Sequence, residues 1–318
     1  MKHITTVAGA IPPEELGYCQ CHEHLLLRDG QPARVNPALV FDDPEASARE
    51  AEYYIAAGGK SVVDAQPIGC GRMPDGLAKI SKRTGINIVA CTGFHKMTFY
   101  PEYHWVFSAS ENDLCRIFTE EITGGMYVNC DRVLSKENCP SRAGLIKAAL
   151  DTEGLTPQYM KLFRAAVHAS LQTDTSVMIH IEQGADVLEL FQFLTGLGLS
   201  PERMIFCHLD RACGDLDVHK KLCEKGAFLD YDTIGRFKYH SDEHELSIMK
   251  EMLDSGYEDR LLFSLDTTRN RLKAYGGDIG LDYILKVFLP MMKANGITES
   301  QVQKIFYENS RNVLATVS

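Results

Sequence analysis

The sequence lacks the features that mark membrane, secreted and nucleic-acid-binding proteins. No apolar run approaches the length needed to cross a bilayer, and residues 1–7 lack the apolar segment of a signal peptide. The formal net charge is -10, and acidic and basic residues are interspersed, so we expect no basic face for nucleic acid or anionic lipid. These absences predict a cytoplasmic protein whose partner is a small-molecule substrate, with no nucleic acid and no membrane as partners.

The ten cysteines include no Cys-x-x-Cys pair, so the sequence does not predict a zinc ribbon or a dithiol redox motif. We expect most of them to be buried thiols. Cys19 and Cys21 stand just before a histidine pair and are possible soft metal ligands. In a regular strand, however, Cys21 would face away from His22 and His24, which argues against ligation.

Strand and helix signals alternate along almost the whole chain. Predicted strands cover residues 17–27, 61–64, 86–91, 143–147, 177–180, 205–208, 226–231 and 261–266. Predicted helices cover residues 44–57, 77–82, 111–122, 156–171, 185–194, 216–225, 241–253, 281–293 and 301–313. Eight strand–helix pairs without repeats or low-complexity linkers predict an α/β protein, a (β/α)8 TIM barrel formed by residues 1–318 as a single domain.

Potential metal ligands stand at the ends of five of these predicted strands. They are His22, His24, Lys147, His180, His208 and Asp266. In an extended segment residues i and i+2 share a face, so the two imidazoles of the His-Glu-His sequence point together. Barrels of this type carry their catalytic groups at the carboxyl ends of the strands. The spacing therefore predicts a centre for two divalent ions at the mouth of the barrel.

Lys147 does not fit this centre as an unmodified side chain. An ammonium group cannot ligate a metal and would repel the ions, so either Lys147 is not a ligand or it is modified. Asp266 has a second expected role. With one oxygen on a metal, its carboxylate can accept the proton of a nucleophilic hydroxide and pass it to the leaving group.

The order of these residues, together with residues 143–147 and the sequence His208-Leu209-Asp210-Arg211, resembles the phosphotriesterase family of the amidohydrolase superfamily. The resemblance covers the chain from Gly9 through the last helix. It implies that His22, His24 and Asp266 hold the more buried ion and that His180 and His208 hold the more exposed one. It also implies that Lys147 is carboxylated to a carbamate that bridges both ions together with a hydroxide. Zn²⁺ is the expected metal, and Mn²⁺ and Co²⁺ also suit nitrogen and oxygen ligands.

The same resemblance implies a metal-dependent hydrolase that acts by attack of the bridging hydroxide, and family members often form homodimers. Lactones and phosphotriesters are both substrates within the family, so the loops after strands seven and eight must decide between them. We expect Lys238 and Arg269 to bind a phosphate above the metals, with Arg236, Arg271 and Tyr275 as further substrate contacts.

These cations favour a phosphorylated sugar lactone as the substrate. The alternatives are a phosphotriester or another lactone, ester or amide substrate for the same centre. A protein of a different class, which keeps the barrel for binding without catalysis, is disfavoured by the complete set of ligands. His95 and Lys96 after strand three are alternative contacts for a substrate hydroxyl or phosphate, and Asp210 and Arg211 are candidates to orient His208.

Overall fold

The computed structural model describes residues 2–317, and two sheets account for its strands. The strands are β1 (Lys2–Thr6), β2 (Gly9–Ile11), β3 (Cys19–Glu23), β4 (Ser61–Asp64), β5 (Asn87–Gly93), β6 (Leu145–Leu150), β7 (Val177–Ile181), β8 (Met204–Cys207), β9 (Phe228–Tyr231), β10 (Leu261–Phe263) and β11 (Thr316–Val317). Strands β3 to β10 form an eight-stranded sheet in chain order, and every neighbouring pair in it is parallel. Strands β11, β1 and β2 form a small antiparallel sheet.

Helices follow the strands of the parallel sheet. The α-helices are α1 (Gln31–Val35), α2 (Pro44–Ala56), α3 (Pro74–Thr84), α4 (Trp105–Ser108), α5 (Glu111–Thr123), α6 (Pro157–Thr173), α7 (Val187–Gly196), α8 (Leu209–Ala212), α9 (Leu216–Glu224), α10 (Asp242–Asp254), α11 (Leu289–Ala294), α12 (Glu299–Gln303) and α13 (Ser310–Leu314). Short 3-10 turns cover Pro13–Glu15, Met97–Phe99, Pro201–Arg203, Glu258–Arg260, Arg269–Arg271 and Lys273–Tyr275. The two predicted C-terminal helices are present, and each contains a π-helical turn, at Ile284–Phe288 and Lys304–Asn309.

The parallel sheet closes into a barrel between β10 and β3. The backbone N–H of Asp266 donates to the carbonyl of His22 at 3.0 Å, and the N–H of His22 donates to Ser264 Oγ at 2.8 Å. This closure and the strand order confirm the predicted (β/α)8 TIM barrel. That residues 1–318 form one domain stays a prediction. Along residues 2–317, no helix is both long enough and apolar enough to traverse a lipid bilayer.

Alternation along the strands separates two hydrophobic clusters. Leu145 and Met178 pack in the cluster inside the barrel, whereas Ile146 and Ile179 pack in the larger cluster between the sheet and the helices. Because side chains alternate across a strand, Lys147 lies on the same inner face as Leu145. The inner face of β6 and β7 therefore carries an apolar residue first and a candidate ligand two residues later.

Strand β3 is irregular just before the histidine pair. Gln20 pairs with Val62 and Glu23 pairs with Asp64, so β3 has one more residue than β4 over this stretch, which is a β-bulge. The bulge allows Cys21 to pack in the inner cluster while His22 also faces the barrel interior. The prediction that Cys21 faces away from the histidines was wrong, because it assumed strict alternation.

The end of the barrel opposite the ligands is filled. Ile4, Val313 and Leu314 belong to the inner cluster, and Ser176 Oγ, just before β7, donates to the carbonyl of Val313 at 2.5 Å. These contacts close the amino-terminal end of the barrel with side chains from β1 and α13. A substrate must therefore approach from the carboxyl end of the strands.

The close approach of β5 and β6 yields a test of the barrel geometry. Gly93 has φ 96°, and a Cβ atom there would lie 1.9 Å from the carbonyl oxygen of Lys147. Gly198 has nearly the same dihedral, φ 93°, but a Cβ atom there would meet nothing within 4 Å. We expect Gly198→Ala to cost about 1–2 kcal/mol of backbone strain, and Gly93→Ala to cost about 3 kcal/mol beyond that because of the clash. Urea unfolding of both variants measures the difference, and equal losses would contradict the stated packing.

Candidate metal centre

All six predicted ligands meet at the carboxyl end of the barrel. His22 Nε2 lies 3.1 Å from Lys147 Nζ and 3.8 Å from Asp266 Oδ1. His24 Nε2 lies 3.5 Å from the same Asp266 oxygen. On the other side, His180 Nδ1 lies 2.7 Å from His208 Nε2. The two subsets have the composition expected for two neighbouring ion sites.

Two of the ligands have a backbone conformation that L-residues rarely adopt. His208 has φ 70° and Asp266 has φ 43°. Such strain persists where the surrounding structure holds a residue in place, and it is concentrated at functional sites. Here α8 begins directly after His208, and the amide of Asp266 is bonded to the carbonyl of His22. The fold thus holds both side chains toward the centre.

Asp232, at the end of β9, orients one histidine from each subset. Its Oδ2 lies 2.8 Å from His22 Nδ1, and its Oδ1 lies 2.5 Å from His208 Nδ1. Both Nδ1 atoms therefore donate to Asp232, which leaves both Nε2 lone pairs free to ligate a cation. No sequence pattern predicted this function for Asp232. Its only signal was its place at the end of predicted strand seven.

Burial keeps the imidazoles of His22, His180 and His208 neutral, as ligands must be. It lowers the pKa of His22 to about 4, and the nearby Lys147 acts in the same direction. Burial also lowers the pKa of His180 to about 4 and that of His208 well below its usual value. Burial alone would raise the pKa of Asp232, but His208 and His22 hold it below its usual range. The result is an anionic carboxylate between two neutral rings.

The residues present fit a pair of divalent cations. Lys147 is fully buried, yet no carboxylate of residues 2–317 lies within 4 Å of its Nζ atom to act as counterion. His24 Nδ1 is also buried without a hydrogen-bond partner. Imidazole nitrogens and a carboxylate are suitable ligands for Zn²⁺, Mn²⁺ and Co²⁺. A buried lysine without a counterion is consistent with its conversion to an anionic group.

A cavity of about 210 Å³ lies directly above these ligands. Of the five predicted substrate contacts, Arg236 and Lys238 line it, and so do His95, Lys96 and Arg211. The guanidinium of Arg236 contacts Asp266 Oδ2, and Arg211 lies 3.4 Å from the same oxygen. Burial would raise the pKa of Asp266, but Arg236 and His22 hold it well below its usual value. Asp266 is therefore ionised at the floor of the cavity.

Three cations surround one aromatic ring at the rim of the cavity. Lys238 Nζ lies 4.6 Å from the ring centroid of Tyr239, and the guanidinium carbons of Arg211 and Arg236 lie at 4.7 and 5.3 Å. Contact with the electron-rich face of the ring partly offsets the repulsion between these cations. We call these four residues the cationic rim. Tyr239 was not predicted from the sequence, and Arg211 was predicted only as a residue that orients His208.

Arg269 and Tyr275 do not reach the cavity, which corrects their prediction as substrate contacts. The guanidinium of Arg269 lies 3.6 Å from Asp42 and 5.1 Å from the ring of Tyr275. Tyr275 donates from its hydroxyl to the carbonyl of Asp43 at 2.8 Å and lies 2.7 Å from Ser47 Oγ. Their loop folds back onto the start of α2, so these partners bind the two side chains away from the site.

Arg271 is likewise outside the cavity above the ligands. Its guanidinium donates to the carbonyls of Leu265 at 2.6 Å, Asp266 at 3.1 Å and Ile234 at 2.8 Å. Arg271 therefore links the segment after β10 to the segment after β9 by hydrogen bonds. Its role in this structure is to hold the backbone at two strand ends, not to contact a ligand in the cavity.

Lys96 has its charge balanced within the protein. Its Nζ lies 2.5 Å from Glu182 Oε2, which is also 3.3 Å from His180 Nε2. The backbone N–H of Lys96 donates to His95 Nδ1 at 2.7 Å, so the remaining proton of the neutral His95 ring is on Nε2. Arg211 and Arg236 are likewise paired with Asp266, so among the lysines and arginines that line the cavity only Lys238 has no carboxylate of residues 2–317 within 4 Å.

Comparisons with known proteins agree along nearly the whole chain. The sequence model of the phosphotriesterase family matches residues 2–314. A phospho-furanose lactonase from Mycoplasmopsis agalactiae is 28% identical, over 99% of this chain and 92% of that protein. The phosphotriesterase homology protein of Escherichia coli is 30% identical, over 92% of this chain and 96% of that protein. The crystal structure of a lactonase from Listeria monocytogenes aligns with a TM-score of 0.89 at 28% identity, over 98% of both chains.

The position of Asp232 yields a test that does not depend on activity. In Asp232→Asn the side chain has one acceptor oxygen, so only one of the two histidine Nδ1–H groups keeps its acceptor. We expect affinity for Zn²⁺, measured by competition with a chelator, to fall about 10–100-fold.

Asp230→Asn is the matched control for that variant. Asp230 is buried on the same strand, but Ser264 Oγ donates to it at 3.0 Å, and no histidine does so among the described residues. Burial raises the pKa of Asp230 well above its usual value, so an amide resembles its protonated form. Equal zinc affinity in Asp232→Asn and the wild type would show that Asp232 does not orient the ligands.

Proposed function

The chain belongs to the phosphotriesterase family, whose members are metal-dependent hydrolases, and we propose that this hydrolase opens the ring of a phosphorylated sugar lactone. The observation that carries the proposal is the cavity itself. Its floor has the ligands for two cations, and its rim has Arg211, Arg236 and Lys238 around Tyr239. Similarity to a phospho-furanose lactonase over almost the entire chain supports the same substrate class.

The ligand residues divide between the two cations as their positions suggest. His22, His24 and Asp266 would hold one ion, and His180 and His208 the other. Lys147, as a carbamate, would contribute one oxygen to each. When bound, two such ions render water nucleophilic at neutral pH and polarise the carbonyl that is attacked.

Asp266 is the residue that we assign to proton transfer. Its Oδ1 faces His22 and His24, whereas its Oδ2 faces Arg236 and Arg211 in the cavity. We propose that it accepts the proton of the attacking water and delivers it to the ring oxygen as the carbon–oxygen bond of the lactone breaks. Nearby guanidinium groups hold the carboxylate in place before and after the transfer.

The cationic rim is suited to a phosphate dianion at the far end of the substrate. Guanidinium groups can donate two parallel hydrogen bonds to phosphate oxygens, and Lys238 adds an exposed ammonium at the mouth. Another part of the cavity wall is apolar, with Leu27, Val35 and Leu39. This wall could pack against the carbons of a sugar ring or against a neutral triester, so substrate charge is the property to test.

The first test compares pentonolactones with and without a terminal phosphate, using Zn²⁺- or Mn²⁺-loaded protein and a pH indicator that reports acid release. We expect hydrolysis of the phosphorylated lactone alone, because the rim cations stabilise its bound form. Activity restricted to the unphosphorylated lactone, or to neutral phosphotriesters, would overturn the proposal in favour of another hydrolase of the same family.

Charge reversal locates the phosphate site. We expect Lys238→Glu to raise KM for the phosphorylated lactone by about tenfold or more, since a charge-assisted hydrogen bond contributes about 1.5–3 kcal/mol. Arg269→Glu is the matched control, because Arg269 lies outside the cavity, and it should leave KM unchanged. An equal rise in both variants would indicate a general charge effect and not a local contact.

Carboxylation of Lys147 has its own test in metal loading. We expect metal-free protein to retain more Zn²⁺ when bicarbonate is present than in buffer freed of carbon dioxide. The variant Lys147→Glu supplies a carboxylate directly, so its loading should not depend on bicarbonate. Bicarbonate-independent loading of the wild type, with no carbamate signal from ¹³C-labelled bicarbonate in NMR, would contradict the modification. The cytoplasmic location and a homodimer remain predictions from the sequence.

A further inference from the structure

A second group of possible metal ligands lies outside the candidate metal centre. Asp210 in α8, His240 in the loop after β9 and Glu245 in α10 place one ligand atom each within 4.8 Å of one another. We call these three residues the outer cluster. They come from three separate segments, and none of them belongs to the six ligands at the mouth of the barrel.

The outer cluster contains buried acceptor atoms that lack donors. Glu245 is fully buried, and neither of its carboxylate oxygens has a hydrogen-bond partner. His240 Nε2 is also buried without a hydrogen-bond partner, and it lies 3.3 Å from Glu245 Oε2. His240 Nδ1 lies 3.2 Å from the carbonyl of Ser241 and donates to it, so Nε2 of the neutral ring carries a lone pair. Leaving such groups unsatisfied is costly in a protein interior.

Asp210 is oriented by the backbone. Its Oδ2 accepts from the N–H of Thr233 at 2.7 Å, and its Oδ1 accepts from the N–H of Arg211 at 3.0 Å. These two bonds fix the orientation of the Asp210 carboxylate. The Glu245 carboxylate lies fully buried beside it. Two carboxyl groups therefore share a buried site in which a positive charge would be stabilised.

A count of acceptors indicates what the outer cluster binds. If Asp210 and Glu245 shared a single proton, the lone pair on His240 Nε2 would still face Glu245 Oε2 at 3.3 Å, which is an unfavourable contact between two acceptors. A second proton on His240 is disfavoured, because burial lowers the pKa of its imidazole. The guanidinium of Arg211 is directed elsewhere, at 3.7 Å from Asp232 and 3.4 Å from Asp266. One divalent cation would satisfy all three residues of the cluster at once.

We propose that Asp210, His240 and Glu245 bind one divalent transition-metal cation in addition to those of the metal centre. Two carboxylate oxygens and one imidazole nitrogen are ligands that suit Zn²⁺ or Mn²⁺. The Nε2 atom of His240 and both carboxylate oxygens of Glu245 are buried, so these ligand atoms are screened from solvent.

A cation in the outer cluster would also stabilise the loop after β9, which carries most of the cationic rim. His240 follows directly after Arg236, Lys238 and Tyr239, three members of the cationic rim. A cation held by His240 and by Asp210 and Glu245 fastens this loop to α8 and α10. The ion thus has a positioning role and takes no part in the chemical step.

Metal content per chain is the deciding measurement. Metal-free protein is loaded with excess Zn²⁺ or Mn²⁺, desalted and analysed by plasma mass spectrometry. We expect His240→Asn and Glu245→Gln each to retain one equivalent less than the wild type. His244→Asn is the matched control, because His244 is exposed and its ring is 5.2 Å from that of His240, so it should keep the wild-type content.

A variant that already lacks a ligand of the metal centre shows whether the lost metal comes from the outer cluster or from the centre. In His180→Asn, which lacks a ligand of the centre, adding His240→Asn should still remove one equivalent. Wild-type metal content in His240→Asn would overturn the proposal and assign protons to the cluster instead. Because His240 is half-buried, this variant carries the test even if Glu245→Gln does not fold. The result does not depend on which substrate the enzyme hydrolyses.

Discussion

Closure of the parallel sheet between β3 and β10 is the constraint on which the site depends. Two hydrogen bonds between β3 and the chain just after β10, one donated by each side, place His22 beside Asp266 although the two residues are far apart in the sequence. Parallel strands have all their carboxyl ends at one edge, so closing the sheet turns this edge into a ring. Side chains from five strands, or from the residues just after them, then surround a single point.

Charge is layered along the axis of this ring. Neutral imidazoles and the anionic Asp232 and Asp266 form the floor, where cations would be stabilised. The cationic rim lies above them, where an anionic part of a substrate would be stabilised. Arg236 contacts both layers, since it bonds to Asp266 and packs on Tyr239. Such an arrangement orients a substrate that has an electrophilic carbonyl at one end and a phosphate at the other.

The position of a side chain could be predicted from the sequence where it depends on a strand, and not where it depends on the shape of a loop. Lys147 and His180 could be found because each is a polar residue in a run of apolar ones, and the strand period sets the face of each side chain. Strand β6 nevertheless continues past the predicted end at Lys147 to Leu150. Asp232 ends a strand too, but its role depends on two histidines that are neighbours only after closure. Arg236 and Arg269 are both loop arginines in the sequence, yet only Arg236 faces the cavity.

The sequence by itself determined the barrel, the order of its strands and the six residues at its mouth, because the periods of strands and helices are local properties of the chain. Only the tertiary structure decided which cations form the rim, how Asp232 couples two histidines and how the bulge turns both Cys21 and His22 inward. It also revealed the outer cluster, whose three residues lie on separate segments. These features depend on distances between segments and on loop backbone angles, which local sequence patterns do not encode.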